Sequence, residues 1–177
     1  GRKFFERYGD RAQVIAPDLE WALIEADGSW STPPEESDLI VLAGDAYRKE
    51  FVDMAVALEV PRWAHSEDAG TDGPFYDAMR ARGAIITNSP GANAPEVAEF
   101  AMGMVLWTAK RLDVFRQHQR QHHWEWIELE SLSDKTILII GLGAIGSKIA
   151  SLAHGFKMKV LGIRQSRASV ANVDRQG

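Results

Sequence analysis

The chain has 177 residues, 45% of them hydrophobic, no cysteine and a formal net charge of −5. This length and apolar content supply the core of one domain, or of one domain and part of another. The missing cysteines exclude disulfides and thiolate chemistry and make a reducing cytoplasm the default compartment; no run of about 18 apolar residues offers a membrane-spanning helix, and the negative charge argues against general nucleic-acid binding.

Charge is unevenly spread. Residues 1–93 carry 9 Lys/Arg against 17 Asp/Glu, a balance of −8, and residues 94–177 carry 11 against 8, a balance of +3. Two units with different ligands would show such a split, and so would simple drift of surface charge. Residues 1–7 lack the long apolar core of a signal peptide and an initiator Met, so the natural start is expected upstream.

Along the first half, short apolar runs at Gln13–Ala16, Leu39–Ala43, Arg62–Ala64 and Ala84–Thr87 predict strands. Tyr47–Leu58 and Phe75–Arg82 space their apolar residues as helices do, with Phe51, Met54, Ala55 and Leu58 on one face of the first. Pro33-Pro34, Pro61, Gly73-Pro74 and Ser89-Pro90-Gly91 punctuate the boundaries. Strands alternating with helices predict a small open α/β unit with a parallel sheet.

A long helix is expected next. Asn93 is its candidate N-cap, Pro95 sits in the first turn and Glu96 completes a box-like start. Val97, Phe100, Met104, Trp107 and Arg111 share a face, with Ala101 and Val105 beside it, and this stripe is expected to face the core. From Arg116 to Trp124 the sequence reads as a solvated helix end. His118 and His122 lie four apart there, but the nearest carboxylate is Glu125 and no cysteine exists. Zinc sites ordinarily need three or four ligands, so a solvated surface is the expectation and no metal is assigned.

The strongest signal follows. Thr136–Ile140 is a β-branched apolar run, expected as a strand buried on both faces of a parallel sheet. Gly141-Leu142-Gly143-Ala144-Ile145-Gly146 comes directly after it, then a helical pattern over Ser147–Phe156 and a second apolar run at Met158–Ile163. Strand, glycine turn, helix and strand form the context in which GxGxxG marks a dinucleotide site. Gly141 allows the tight turn, Gly143 lets a pyrophosphate approach the backbone, and Gly146 lets helix and sheet pack closely. Unpaired N–H groups of Ala144 and Ile145 at the helix start then face the phosphates. At the end of the second strand an acid would select the ribose 2′-hydroxyl of NAD. The residues there are Arg164, Gln165, Ser166 and Arg167, and no acid occurs before Asp174. Arginine pairs with a 2′-phosphate, so the expected cofactor is NADP, with NAD as the alternative.

Three segments together resemble the D-isomer-specific 2-hydroxyacid dehydrogenases, of the glyoxylate/hydroxypyruvate reductase kind. Arg62 to Asp72 is similar to the family's tryptophan and AGxD loop. Ile86 to Asn93, continuing through Val97-Ala98-Glu99-Phe100, is similar to its TNxxG and VAE stretch. Leu132 to Thr136, leading into the glycine turn, is similar to the third. The resemblance covers about Asp38 to Arg167. It implies an α/β fold with residues 1–93 as a flavodoxin-like substrate (cap) domain, and 94–177 as an interdomain helix and an incomplete Rossmann coenzyme domain. It also implies hydride transfer between nicotinamide and C2 of a 2-keto or 2-hydroxy acid in a cytoplasmic homodimer paired through the coenzyme domain. Backbone N–H groups near Glu67, Asp68, Ala69 and Gly70 would meet the substrate carboxylate, although two acidic side chains beside it are unusual. The family's catalytic Arg, Glu and His lie further along than Gly177, so no catalytic residue is assigned and the chain is expected to be inactive alone. Two alternatives stay open: an NAD-linked phosphoglycerate dehydrogenase relative, and a nucleotide-binding regulatory protein without catalysis.

Overall fold

The computed structural model describes residues 2–18, 20–23, 25, 27, 29, 31, 39–42, 53, 62–166 and 168–177. They form an α/β protein in two compact units, Gly1–Ala92 and Asn93–Gly177. Among the described residues each unit holds a three-stranded parallel sheet.

In the first unit α1 spans Arg2–Ile15, β1 Leu39–Leu42, β2 Trp63–Ser66, α2 Pro74–Ala81 and β3 Ile85–Asn88. The expected strand at Gln13–Ala16 is instead the end of α1 and the residue after it. Four apolar-leaning residues carry too little pattern to separate a strand from a helix end. The helix expected at Tyr47–Leu58 lies outside the described residues except at Asp53, which is helical. The sheet runs β1-β2-β3, with Leu39 opposite Trp63 and Ser66 opposite Asn88. A parallel pair needs a crossover, and α2 supplies it between β2 and β3. Pro74 opens α2 after Gly73, whose φ of 124° belongs to glycine. Phe75, Tyr76 and Met79 of α2 bury one helical face together with Ala64 of β2.

In the second unit α3 spans Ala94–Ala109, α4 Leu112–Arg120, β4 Thr136–Ile140, α5 Ala144–Gly155, β5 Lys159–Ile163 and β6 Arg175–Gln176. Asn93 holds the N-cap position of α3 but its side chain makes no capping hydrogen bond. Arg111, in the left-handed region at φ 48°, separates α3 from α4. The core joins Met102 of α3, Ile139 of β4, Ala150 and Ala153 of α5, and Val160 of β5.

Two expectations about burial fail here. Phe100 is 68% exposed and Met104 46%, while Ala98 and Met102 are buried. Small residues let a helix approach its neighbour closely, so the close face of α3 is not its bulkiest stripe. Likewise β4 is covered on one face only: Ile139 is buried, but Ile140 is 80% exposed. Glu130, just before β4, pairs with Lys135 at 2.8 Å. The hydrogen bond from that ammonium, and then its charge, hold the Glu130 carboxyl below its ordinary range.

Candidate coenzyme and substrate sites

The glycine turn joins β4 to α5. Gly141 adopts φ 100°, a conformation open to glycine and strained for any L side chain. Its N–H, and that of Leu142, donate to the Ile163 carbonyl at 2.9 and 3.3 Å, so the turn is tied to the end of β5. A β-carbon at Gly146 would collide with the Gly141 carbonyl oxygen and stand 3.2 Å from Ile139 Cγ2. Gly143 is different. Its φ of −84° and ψ of −155° suit any residue, yet a β-carbon there would meet nothing within 4 Å. The space over Gly143 is therefore open, at the N-cap of a helix of 12 residues. The first N–H groups of such a helix have no partner within it, and the aligned peptide dipoles favour an anion there. A diphosphate fits this cradle: a helix start, an open backbone and no acidic residue in the first turn.

β5 ends beside the turn. Arg164 follows it, half-buried, with its backbone N–H on Gly177 O at 3.2 Å and Nη1 donating to Ala168 O at 3.4 Å. Arg164, Gln165, Ser166, Ser169, Gln176 and Gly177 line an open cavity of about 460 Å³. Arg167 lies outside the described residues. Asp174 stands apart from this end, because its Oδ2 accepts the Val160 N–H at 2.7 Å near the start of β5. A larger open groove of about 810 Å³ runs along α3 at Met104, Val105 and Thr108 and holds none of the turn residues.

In the first unit Glu67, Asp68, Ala69 and Gly70 follow β2 at the carboxyl end of the parallel sheet, where open α/β sheets place their ligands. Ser66, fully buried, shapes this loop: its Oγ accepts the Asp68 N–H at 3.2 Å and donates to the Gly70 carbonyl at 3.3 Å. Asn88 Nδ2 donates to the Ala69 carbonyl, and Ser89 N–H donates to the Asp68 carbonyl at 3.1 Å. Asp68 is exposed and Glu67 half-buried. His65 bridges Thr87 Oγ1 at 2.7 Å and Ser89 Oγ at 3.1 Å, so both ring nitrogens are engaged across β2 and β3.

Residues 102–177 match the family described as D-isomer specific 2-hydroxyacid dehydrogenase, NAD binding domain. Residues 102–177 are thus a D-isomer-specific 2-hydroxyacid dehydrogenase NAD-binding segment by this match, and the longer chain is similar to members of that family. Hydroxypyruvate reductase of Thermotoga maritima is 29% identical over 140 residues, which are 78% of this chain and 45% of that protein. D-3-phosphoglycerate dehydrogenase of Methanocaldococcus jannaschii is 28% identical over 126 residues, 70% of this chain and 24% of that protein. A solved dehydrogenase of the same family from Aeromonas salmonicida is 28% identical with a TM-score of 0.63, over 79% of this chain and 44% of its own. The chain thus spans less than half the length of these relatives.

Sequence reasoning missed three supporting residues of these candidate sites. Leu142, a variable position of the motif, is 1% exposed and anchors the turn from below. Ser66 folds the β2 loop, and Arg80 secures it by donating from Nη2 to Thr71 O at 2.9 Å. A serine directly before the acidic pair Glu67-Asp68, at the end of an apolar run, is the signal the sequence offers for Ser66.

Proposed function

We propose that the protein carrying this chain transfers a hydride between a nicotinamide coenzyme and C2 of a small 2-keto or 2-hydroxy acid, with NADP preferred. The observation that carries the reading is the glycine turn, open at Gly143 and closed at Gly146. In this reading residues 94–177 are the interdomain helix and the first βαβ part of a Rossmann coenzyme domain, and residues 1–93 are the flavodoxin-like substrate domain. Backbone N–H groups at Gly143, Ala144, Ile145 and Gly146 hold the diphosphate. Arg164 and Ser166, together with Arg167, take the ribose 2′-phosphate. Bound coenzyme supplies the hydride. The β2 loop at Glu67, Asp68, Ala69 and Gly70 takes the substrate carboxylate through backbone N–H groups. The Asp68 N–H is already given to Ser66, so Ala69 and Gly70 are the donors this reading uses. Exposed Trp124 and Trp126, at 83% and 81%, give the second unit apolar surface for pairing with another copy.

The identity to hydroxypyruvate reductase supports a small keto acid as substrate. The identity to phosphoglycerate dehydrogenase favours a second, NAD-linked reading, against which Arg164 argues by its charge. Titrating the protein with NADPH and with NADH, followed by fluorescence, tests the coenzyme reading. Saturable binding that Gly143→Val abolishes, with an unchanged circular dichroism spectrum, is the expected result. Full affinity in a folded Gly143→Val protein would overturn it. Oxidation of NADPH with hydroxypyruvate and glyoxylate, but not with 3-phosphohydroxypyruvate, is the expected substrate pattern.

A further inference from the structure

The C-terminal end of α4 brings together three groups that belong to neither the glycine turn nor the β2 loop. Gln121 caps this helix, and His122 adopts φ 49° in the left-handed region. The His123 N–H donates to the His118 carbonyl at 3.0 Å and the His122 N–H to the Gln119 carbonyl at 3.3 Å. These are the paired bonds of a Schellman ending, a motif that sets the third residue from the helix end against the second residue beyond its cap. An apolar pair ordinarily fills those two positions. Here both are histidines, and their rings meet edge to face with centroids 4.8 Å apart. His122, the residue four along from His118, is not part of the pair. The five-residue spacing across the helix end is what the sequence pattern of 118 and 122 concealed.

Glu125 completes the cluster. Its Oε2 lies 3.8 Å from His118 Nε2 and 3.5 Å from His123 Nε2. A carboxylate hydrogen-bonded to an imidazole closes to about 2.7–2.9 Å, so neither ring holds it that way. Donor atoms bound to one tetrahedral Zn²⁺ at about 2.0–2.1 Å stand roughly 3.4 Å from each other. The two nitrogen-to-oxygen separations lie near that edge, and the three donor atoms fall within 4.8 Å of one another. The His118 side chain is 18% exposed, with Nδ1 buried and unpartnered, while His123 and Glu125 are 53% and 60% exposed. A cation arriving from solvent therefore finds one ligand fixed in place and two able to close on it. The negative end of the α4 dipole favours positive charge at the same point.

We propose that His118, His123 and Glu125 form a three-ligand site for a divalent transition cation of the Zn²⁺ class, with water in the fourth position. Two imidazoles and a carboxylate suit Zn²⁺, Co²⁺ or Ni²⁺ and disfavour Mg²⁺ and Ca²⁺, which take oxygen ligands. The bound ion staples the segment after α4 to the helix end. This site is independent of the coenzyme and substrate reading, and its test uses neither.

The test is titration of the untagged chain with Zn²⁺ by calorimetry, and with Co²⁺ by visible absorption. One equivalent of Zn²⁺ and a tetrahedral Co²⁺ spectrum are expected, with a rise in Tm on adding Zn²⁺ and none on adding Mg²⁺. His118→Ala, His123→Ala and Glu125→Gln should each weaken Zn²⁺ by more than about tenfold, since loss of even an outer-shell partner costs 10–100-fold. His122→Asn, which tolerates the left-handed backbone, should bind as the parent does. The absence of one-to-one binding overturns the proposal. So does unchanged stoichiometry in the folded His118→Ala/His123→Ala chain, or an equal loss in His122→Asn.

Discussion

The side chain of Leu142 fills the space above Gly162: a β-carbon on Gly162 would stand 2.8 Å from Leu142 Cγ, closer than any ordinary carbon contact. The glycine of β5 and the leucine inside the glycine turn are thus complementary. Leu142 can sink to 1% exposure, and hold the turn onto the end of β5, because residue 162 has no side chain.

Gly162→Ala is therefore expected to destabilise the chain, although alanine normally suits a strand better than glycine. Leu142 is buried in the core, and the new β-carbon would press on its Cγ as well as on its methyl ends. Overpacking of this kind costs about 1–3 kcal/mol, which urea denaturation resolves. A paired Leu142→Ala change should relieve the strain, so that the double variant is more stable than the two single losses added together. Strict additivity would show that the two residues are not coupled.

Gly146→Ala and Gly143→Ala should separate packing from ligand access. The first drives a β-carbon into the Gly141 carbonyl, where backbone must move, and an unfolding loss of at least about 1 kcal/mol is expected. The second meets open space at an ordinary backbone conformation, and should leave stability within roughly 0.5 kcal/mol. Equal losses in the two variants would contradict this division of the motif.

The sequence pattern located β2, β3, β4, β5 and the glycine turn to within a few residues, because apolar runs and glycines leave a one-dimensional trace. On α3 and α5 it favoured bulky stripes that are only partly buried. In α5 the residues at Ile145, Ile149, Leu152 and Phe156 look like the core stripe. The buried residues are Gly146, Ala150 and Ala153, while Ile149 and Leu152 pack partly buried against the same core. Periodicity counts hydrophobicity, whereas close packing selects small volume, and the two criteria choose faces offset by one residue. Nor could a pattern of single residues reveal Asp174 on the Val160 N–H, or the histidine pair at the end of α4, since both depend on backbone geometry far from the motif.

The small-residue face can be tested directly. Ala150, fully buried in α5, belongs to the same core cluster as Met102 of α3. Ala150→Leu adds volume where there is none to take it, and should cost about 1–3 kcal/mol in chemical denaturation. Phe100→Ser, on the stripe that the sequence favours, should change the stability of this chain by about 0.5 kcal/mol or less. A larger loss from Phe100→Ser than from Ala150→Leu would reverse the assignment of the faces.

Asp174→Ala probes the bond that fixes β6 to β5. The Asp174 carboxylate accepts the N–H of Val160, a residue with no exposed surface. Removing the acceptor strands a buried donor, a loss of about 1–3 kcal/mol. Asp174→Asn keeps an acceptor oxygen and should recover most of it. Faster amide exchange at Val160 in Asp174→Ala alone is the direct signature, and unchanged protection there would refute the role of this bond.

Arg164→Asp addresses the choice of coenzyme. Arg164 leaves β5 next to the turn, its guanidinium reaching Ala168 O at 3.4 Å, a long and weak bond that costs little to break. Gln176 Nε2 holds the same carbonyl at 2.9 Å, so the surrounding loop keeps a tie when Arg164 is replaced. If the guanidinium takes the 2′-phosphate of NADPH, its loss removes charged hydrogen bonds worth about 1.5–3 kcal/mol, or roughly 10–150-fold in affinity. The new carboxylate repels that phosphate and can accept from the 2′-hydroxyl of NADH, so the ratio of the two affinities should invert. Arg164→Gln, lacking either charge, should fall between the two. Fluorescence titration of all three proteins with both coenzymes gives the ratios, and circular dichroism checks that each remains folded. An NADPH-to-NADH ratio that is the same in parent, Gln and Asp forms would remove Arg164 from coenzyme selection, while leaving the glycine turn as the diphosphate site.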